Sequence, residues 1–252
     1  MLILLTNDDG IYAPGLMAME RALRQLGQVY VVAPATEQSG VGHSITFLRP
    51  LVCKEIYDGN VRRGWAVEGS PADCVKLGVF EICPQRPDLV VSGVNGGLNA
   101  GINVLYSGTV AAAIEGAFFG ITSIAVSLEY DEHAQFDKAA GLAARLIAQI
   151  LELKGSEAQL YNLNMPTSAM NTKPEVRVVP MDVVRFGEHF IKRKDPKGRN
   201  YYWAASDPVT PVRDRETDLT ALAQGYVTLT PLQYDMTKQQ MMSAMKQWDL
   251  RT

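Results

Sequence analysis

Residues 4–15 read LLTNDDGIYAPG, an apolar run that stops on Asn7, Asp8 and Asp9. Side chains alternate faces along a strand, so two neighbouring aspartates cannot both line one face unless the strand ends there. The pair therefore marks the end of a strand over residues 2–6. If the two carboxylates converge at about 4 Å, an effective dielectric near 20 gives roughly 4 kcal/mol of repulsion, which demands a proton, a cation or a good donor beside them.

The pattern continues outward from that strand. Residues 16–26 and 110–119 carry helical spacing, and residues 29–33, 89–92 and 124–128 are short β-branched runs. This alternation predicts an α/β fold, a Rossmann-like and mostly parallel sheet with flanking helices. Ligands of such sheets sit beyond the carboxyl ends of the strands, near the point where the strand order reverses. Asp8, Asp9, the 34–42 loop and the 93–106 loop all fall at such ends.

Between the second and third sheet strands, residues 51–56 and 61–67 form an inserted hairpin around Asp58-Gly59-Asn60. Ser70, Pro71 and Asp73 then open a helix over 71–80 in the manner of a capping box. A helix over 141–153 and a strand over 158–164, stopped by Pro166, complete a core of about 1–170. The remainder, about 171–252, changes character within the same single domain, 1–252. There, strand-like residues 176–184 and 190–204 flank the charged turn KRKDPKGRN, predicting a projecting β-hairpin. A short helix capped by Thr217 and Asp218, a strand over 226–230 and a Met-rich C-terminal tail over 236–248 follow.

The 252 residues carry 24 basic and 27 acidic side chains for a net charge of −3, with no block of like charges, so the chain has no footprint for a nucleic-acid polymer or an anionic membrane. Cys53, Cys74 and Cys83 are odd in number and lack zinc spacing, which makes them buried thiols rather than a disulfide framework. The first residues, MLILLTNDD, have no basic region and too short an apolar run for a signal peptide. No segment approaches the ~20 apolar residues of a spanning helix. A soluble, cytoplasmic protein is expected.

Three loops carry the chemistry. An acidic pair after a first strand either holds a cation or caps the next helix. SGVNGGLNAGINVLYSGT, residues 92–109, packs five glycines and three asparagines, Asn99 among them, into one connection. That composition suits a backbone approaching a ligand closely, or else a mobile turn. It ends in Ser107, Gly108 and Thr109 at a helix start, where free N–H groups and the positive end of the dipole would hold a phosphate. It is neither a Walker A loop nor GxGxxG. In EQSGVGHSI, residues 37–45, Ser39 offers a metal ligand or phosphate donor, and Gly40 lets the backbone approach. His43 would either protonate a leaving oxygen or satisfy a backbone carbonyl. Asp, Asp, Ser and Asn together make an all-oxygen set suited to magnesium or manganese and unsuited to zinc.

LLTNDDGIYAPG at 4–15, APATEQSGVGHSIT at 33–46, GSPADCVKLG at 69–78, the 87–116 stretch, LNMP at 163–166 and TDLTALAQGYVTLTPL at 217–232 resemble the SurE family, the survival-protein 5′/3′-nucleotidases. The resemblance runs over nearly the whole chain. It implies a metal-dependent phosphomonoesterase acting on nucleoside 5′- and 3′-monophosphates, and in some members on short-chain polyphosphate. One divalent cation per subunit, Mg²⁺ or Mn²⁺, would be held by Asp8, Asp9, Ser39 and Asn95. Ser107, Gly108 and Thr109 would face the phosphate, with Asn7, Gly40, His43 and Asn99 as further candidates around them. The family also forms homodimers or homotetramers through a projecting hairpin and an exchanged tail, and the Met-rich tail suits such an interface or docking within one chain.

Water attacking in line on the phosphate is the expected mechanism, with an aspartate nucleophile as its competitor. A phosphoreceiver switch would also explain an acidic pair, but it needs an acceptor aspartate after a later central strand, where this chain has Gly93 and Asn95. A non-catalytic nucleotide-binding module is the remaining alternative.

Overall fold

In the computed structural model, residues 1–184, 188–206 and 215–250 are described. The chain begins β1 (Leu2–Thr6), α1 (Pro14–Leu23), β2 (Gln28–Pro34), β3 (Cys53–Asp58), β4 (Val61–Val67) and α2 (Pro71–Leu77). It continues as β5 (Leu89–Gly96), α3 (Gly108–Phe118), β6 (Thr122–Leu128), α4 (Phe136–Leu153), β7 (Leu160–Met165) and β8 (Val176–Val178). Last come β9 (Glu188–Lys194), β10 (Asn200–Ser206), α5 (Asp218–Ala223), β11 (Val227–Pro231) and α6 (Gln239–Met245).

Every residue of β1 is buried. Its side chains divide between two layers, as an interior parallel strand requires. Ile3 and Leu5 pack with Leu16, Met19 and Leu23 of α1 and Ala139, Ala143 and Ile147 of α4. Leu4 faces the other way, onto Cys74 and Val75 of α2 and Ala112 of α3. Each fully buried Leu, Met or Ile stabilises the fold by about 1.5–3 kcal/mol, so the doubly covered sheet follows from the alternation itself. α1 lies so close to β5 that a Cβ on Gly15 would stand 2.0 Å from the Val94 carbonyl oxygen.

Nine of the described strands form one sheet in the order β3-β4-β2-β1-β5-β6-β7-β11-β8. β3 and β11 run antiparallel to β4 and β7, and the other pairings are parallel. The expected α/β class is what the structure has. From β1 the chain steps to β2 on one side and later to β5 on the other, which puts the switch point between β1 and β5. β5 pairs with β6 as far as Ser92, loses register, and resumes at Asn95, so the strand runs to Gly96 instead of ending at 92.

Several expectations are adjusted. The hairpin over 51–67 is the sheet's edge, because β4 pairs parallel with β2 through Val32 and Trp65. α4 starts at Phe136, ahead of 141, since Ala139 and Ala140 already belong to its buried stripe. The projecting hairpin is built by β9 and β10 around Asp195, whose carboxylate accepts the Lys197 and Arg199 N–H groups at 2.9 Å. Residues 176–178 are instead drawn into the main sheet beside β11. The expected strand over 176–184 runs on from there without further strand, and 185–187 lie outside the described residues. α6 buries none of its residues in this single chain. Among the described residues, no helix is long and apolar enough to cross a membrane.

Candidate active site

The site grows from the turn after β1. Asn7 Nδ2 donates to the Gly10 carbonyl at 3.0 Å, and Asn7 Oδ1 accepts the Gly10 N–H at 3.2 Å, so this side chain shapes the turn itself. Gly10 closes it at φ 100°, where a Cβ is strained. The Asp8 carbonyl accepts the Gln38 N–H at 2.7 Å and ties this loop to the one after β2.

Asp8 is 4% exposed, and its Oδ1 accepts the Thr109 hydroxyl at 2.5 Å. A Cβ on Gly108 would lie 2.9 Å from Asp8 Cβ and 3.1 Å from its Oδ2. Only glycine therefore lets this carboxylate rest on the first turn of α3. Ser107 is the N-cap, its Oγ accepting the Val110 N–H at 3.0 Å, which leaves its hydroxyl proton free to donate. Asp9 Oδ2 accepts the Gly96 N–H at 3.2 Å. Asn95 donates its Nδ2 to the Gly97 carbonyl at 2.7 Å, so its amide oxygen remains to accept or ligate. Ser39 Oγ donates to Glu37 Oε1 at 2.6 Å.

Asp8, Asp9, Ser39, Gly40, Asn95, Asn99 and Ser107 open onto one cavity of about 270 Å³. Gly108 and Thr109 stand directly behind Asp8. Thr109 thus addresses the carboxylate with its hydroxyl.

His43 is placed elsewhere. Its Nε2 donates to Glu115 Oε2 at 2.7 Å, its ring stacks on Phe118 at 5.3 Å, and it lines a neighbouring cavity. Neither a proton donor beside Asp8 and Asp9 nor a backbone-bound histidine describes it. Burial works to raise the Glu115 carboxyl, but the His43 hydrogen bond and the Lys76 ammonium outweigh it and hold the group below its ordinary value.

The electrostatics of the cavity are short of positive charge. Burial pushes the Asp8 carboxyl from 3.8 up to about 6, although the Thr109 hydrogen bond pulls it down, and the neighbouring Asp9 adds repulsion. Burial also raises Asp9, the Gly96 N–H offsets part of this, and Glu37 adds like charge. Among the described residues no three His, Cys, Asp or Glu side chains converge, so no zinc-type cage forms. Two carboxylates, a hydroxyl and an amide are all hard oxygen donors, and their chemistry fits magnesium or manganese.

Behind the cavity lies a polar cluster of which the sequence offered only Asn99 as a candidate. Asn99 Nδ2 donates to Ser127 Oγ at 2.9 Å and to Thr109 Oγ1 at 3.4 Å. The Asn99 backbone is clamped in turn: its N–H donates to Asn164 Oδ1 at 2.8 Å, and its carbonyl accepts Asn162 Nδ2 at 2.7 Å and Asn164 Nδ2 at 3.1 Å. Two asparagines at i and i+2 inside the apolar strand LYNLNM were the available signal, because polar side chains on a buried strand face need partners. Glu37, two residues before Ser39, was the other residue missed.

A mostly parallel sheet whose switch-point loops gather carboxylates, hydroxyls and amides at a helix N-terminus defines an α/β protein with an acidic, oxygen-lined site suited to phosphate chemistry. The chain belongs to the SurE family: the family described as Survival protein SurE matches residues 3–192. The 5'-nucleotidase SurE of Rhodopirellula baltica is 58% identical over 253 residues, with 100% of both chains covered. That of Desulforudis audaxviator is 44% identical, with 98% of this chain and 97% of the relative covered. The crystal structure of the Aquifex aeolicus SurE protein superposes with a TM-score of 0.86 at 38% identity, covering 98% of each chain.

Proposed function

We propose that this protein is a divalent-metal-dependent phosphomonoesterase that hydrolyses nucleoside 5'-monophosphates to nucleoside and phosphate. The observation that carries the reading is the Asp8 carboxylate, buried against Gly108 at the start of α3 and joined in one cavity by Asp9, Ser39 and Asn95. The relatives named 5'-nucleotidase supply the substrate class. Because the reaction is at a terminal phosphate, we extend it to 3'-monophosphates and short-chain polyphosphate.

In this reading Asp8, Asp9, Ser39 and Asn95 hold one Mg²⁺ or Mn²⁺ per subunit. The cation supplies positive charge against the phosphate oxygens and a Lewis acid for the attacking water. Thr109 fixes the rotamer of Asp8 through its hydroxyl, and the Gly96 N–H does the same for Asp9. Ser107 and the first turn of α3 present donors to the equatorial oxygens, where negative charge must be stabilised as water enters in line with the leaving nucleoside oxygen. The Asn99 cluster keeps Thr109 in place, so the donors are oriented before substrate arrives.

We further infer one domain over 1–252 that assembles as a homodimer or homotetramer. The exposed Phe190, Tyr202 and Trp203 of the β9–β10 hairpin and Met236 and Trp248 of the tail support an interface there. A cytoplasmic location is supported by three cysteines that are all unpaired.

The test is phosphate release from 5'- and 3'-nucleoside monophosphates and short polyphosphate with manganese, magnesium or EDTA. Release that needs the metal is the expected result. A folded protein that binds nucleotide saturably and releases no phosphate with either metal would make it a binding module instead.

A further inference from the structure

We propose that the cleft between α1 and the β3–β4 hairpin is a second ligand site, separate from the catalytic cavity, which takes an aromatic anion of nucleotide size. The proposal does not depend on the nucleotidase reading above. The cleft has a volume of about 620 Å³, against about 270 Å³ for the cavity of Asp8 and Asp9, and the two share no lining residue. Sites for whole small ligands run to about 300–1,000 Å³. One wall comes from α1 and its C-cap, where Met17, Glu20, Arg21 and Arg24 recur at i, i+3, i+4 and i+7 and so share a helix face. The hairpin supplies the other wall, with Tyr57 from β3 and Arg63 from β4.

Three guanidinium groups, those of Arg21, Arg24 and Arg63, meet two carboxylates there, Glu20 and Asp58, so the lining is positive in a chain whose net charge is −3. Glu20 is buried and both its oxygens are taken: Oε1 accepts Arg24 Nη2 at 2.7 Å, and Oε2 accepts Arg63 Nε at 3.2 Å. Its charge is thereby spent on orienting two guanidinium forks rather than on repelling an anion. The Arg24 side chain is 60% exposed and keeps further N–H groups at the cleft. Arg63 is 14% exposed, and its Nη2 is buried with no hydrogen-bond partner among the described residues. A buried donor left unmade is costly, and an anion drawn in beside Arg63 supplies the acceptor. Such planar forks fit the oxygens of a phosphate or carboxylate bidentately. Tyr12 and Tyr57 line the same cleft while well exposed, and they offer ring faces on which a flat ligand stacks. Rings beside guanidinium forks are the complement of a molecule with an aromatic system at one end and an anionic group at the other. Tyr12 follows Asp9 by three residues, so the turn between β1 and α1 has one site at each end.

The test is calorimetric binding of ATP, adenosine and tripolyphosphate to the whole protein in EDTA, so that no divalent cation in the catalytic cavity takes part. ATP is expected to bind saturably, and about tenfold or more tightly than adenosine, which lacks the anion, or tripolyphosphate, which lacks the ring. Arg24→Gln and Tyr57→Ser are each expected to weaken ATP about tenfold, the loss of one charge-assisted hydrogen bond or one stacked ring. Asp9→Asn is expected to leave ATP binding as it is. Arg21→Gln, at a side chain that is 61% exposed and pairs with the exposed Asp137, gives the same reading without disturbing Glu20. An absence of saturable ATP binding overturns the proposal. So does binding that Asp9→Asn alters and the three cleft variants leave intact, since ATP then sits in the catalytic cavity. Tripolyphosphate bound as tightly as ATP also overturns it, because the tyrosines then have no part. A failure to release phosphate from nucleoside monophosphates with metal sinks the nucleotidase reading, which is a different result from any of these.

Discussion

At the ends of β1 and β5 polar groups are buried, and in the β9–β10 hairpin and the C-terminal segment apolar groups are exposed. Asp8, Asn99 and Asn164 all lie under the surface with hydrogen-bond partners, and Asn162 is bonded through Nδ2 while its Oδ1 is buried without one among the described residues. Trp203 is 62% exposed and Met236 88%. Burying a polar group costs about 1–3 kcal/mol unless it is bonded, so the first region tolerates such groups only in one arrangement. Exposed apolar side chains cost the single chain little and gain only when another surface covers them. On the reading proposed above, the first region would serve chemistry within one chain and the second assembly between chains.

The comparison breaks first at Asp9. Asp9→Asn removes one of two carboxylates from a pair that burial already disfavours, so turnover is expected to fall about 10²–10³-fold, the loss seen when one preorganised electrostatic group is removed. The thermal midpoint measured alongside should hold or rise. A variant that keeps full turnover would remove Asp9 from the machinery.

Gly108→Ala sharpens the same point through geometry. Its methyl group would press on Asp8 Cβ at 2.9 Å. Displacements of about 1 Å near reacting groups cost up to about 10²-fold, and overpacking costs about 1–3 kcal/mol. Both losses should appear together in kinetics and denaturation. Unchanged values would mean that α3 does not rest on the Asp8 carboxylate.

Asp8 is the next in size, and its sign is opposite. Its carboxyl is held at about 6 against an ordinary 3.8. The folded state therefore keeps this proton longer than the unfolded chain does. Its contribution to stability is complete below about 3.8 and disappears as pH rises through about 6. Above that range the ionised group costs the metal-free fold about 3 kcal/mol. Asp8→Asn, or addition of the divalent cation to the wild type, should raise the thermal midpoint at pH 7.5, with the difference shrinking toward pH 5. A gap that does not narrow on acidification would show that ionised Asp8 does not burden the fold.

Much of this was legible in the sequence, for a physical reason. Asp8 and Asp9 end an apolar strand, Gly108 opens a helix, and Ser39 sits in a glycine-rich connection, all of them features of local spacing, whereas Asn95, expected in such a connection, lies in the resumed end of β5. The partner of His43 was not legible, because Glu115 is 72 residues away and the pair forms only when the 37–45 loop folds onto α3. The partners of Asn99 were not legible for the same reason: Asn99 and Asn164 are 65 residues apart and meet only in the folded sheet. Residues 176–178 resemble a hairpin strand by composition, and it is their pairing with Val227 to Leu229 that places them in the main sheet.

The smallest expected effect tests the assembly side. Trp203 lies on β10 with its ring edge-on to Tyr201 at 6.5 Å, and none of its surroundings forms a closed core. Trp203→Ser should therefore change the unfolding free energy of an isolated chain by no more than about 0.5 kcal/mol, as for other surface substitutions. In solution the same change should shift light-scattering mass toward smaller species, because hot spots of protein interfaces concentrate in buried tryptophan and tyrosine. If instead the mass is unchanged while the unfolding free energy falls by several kcal/mol, the hairpin packs within its own chain, and the division between a chemical and an assembling region fails at that residue.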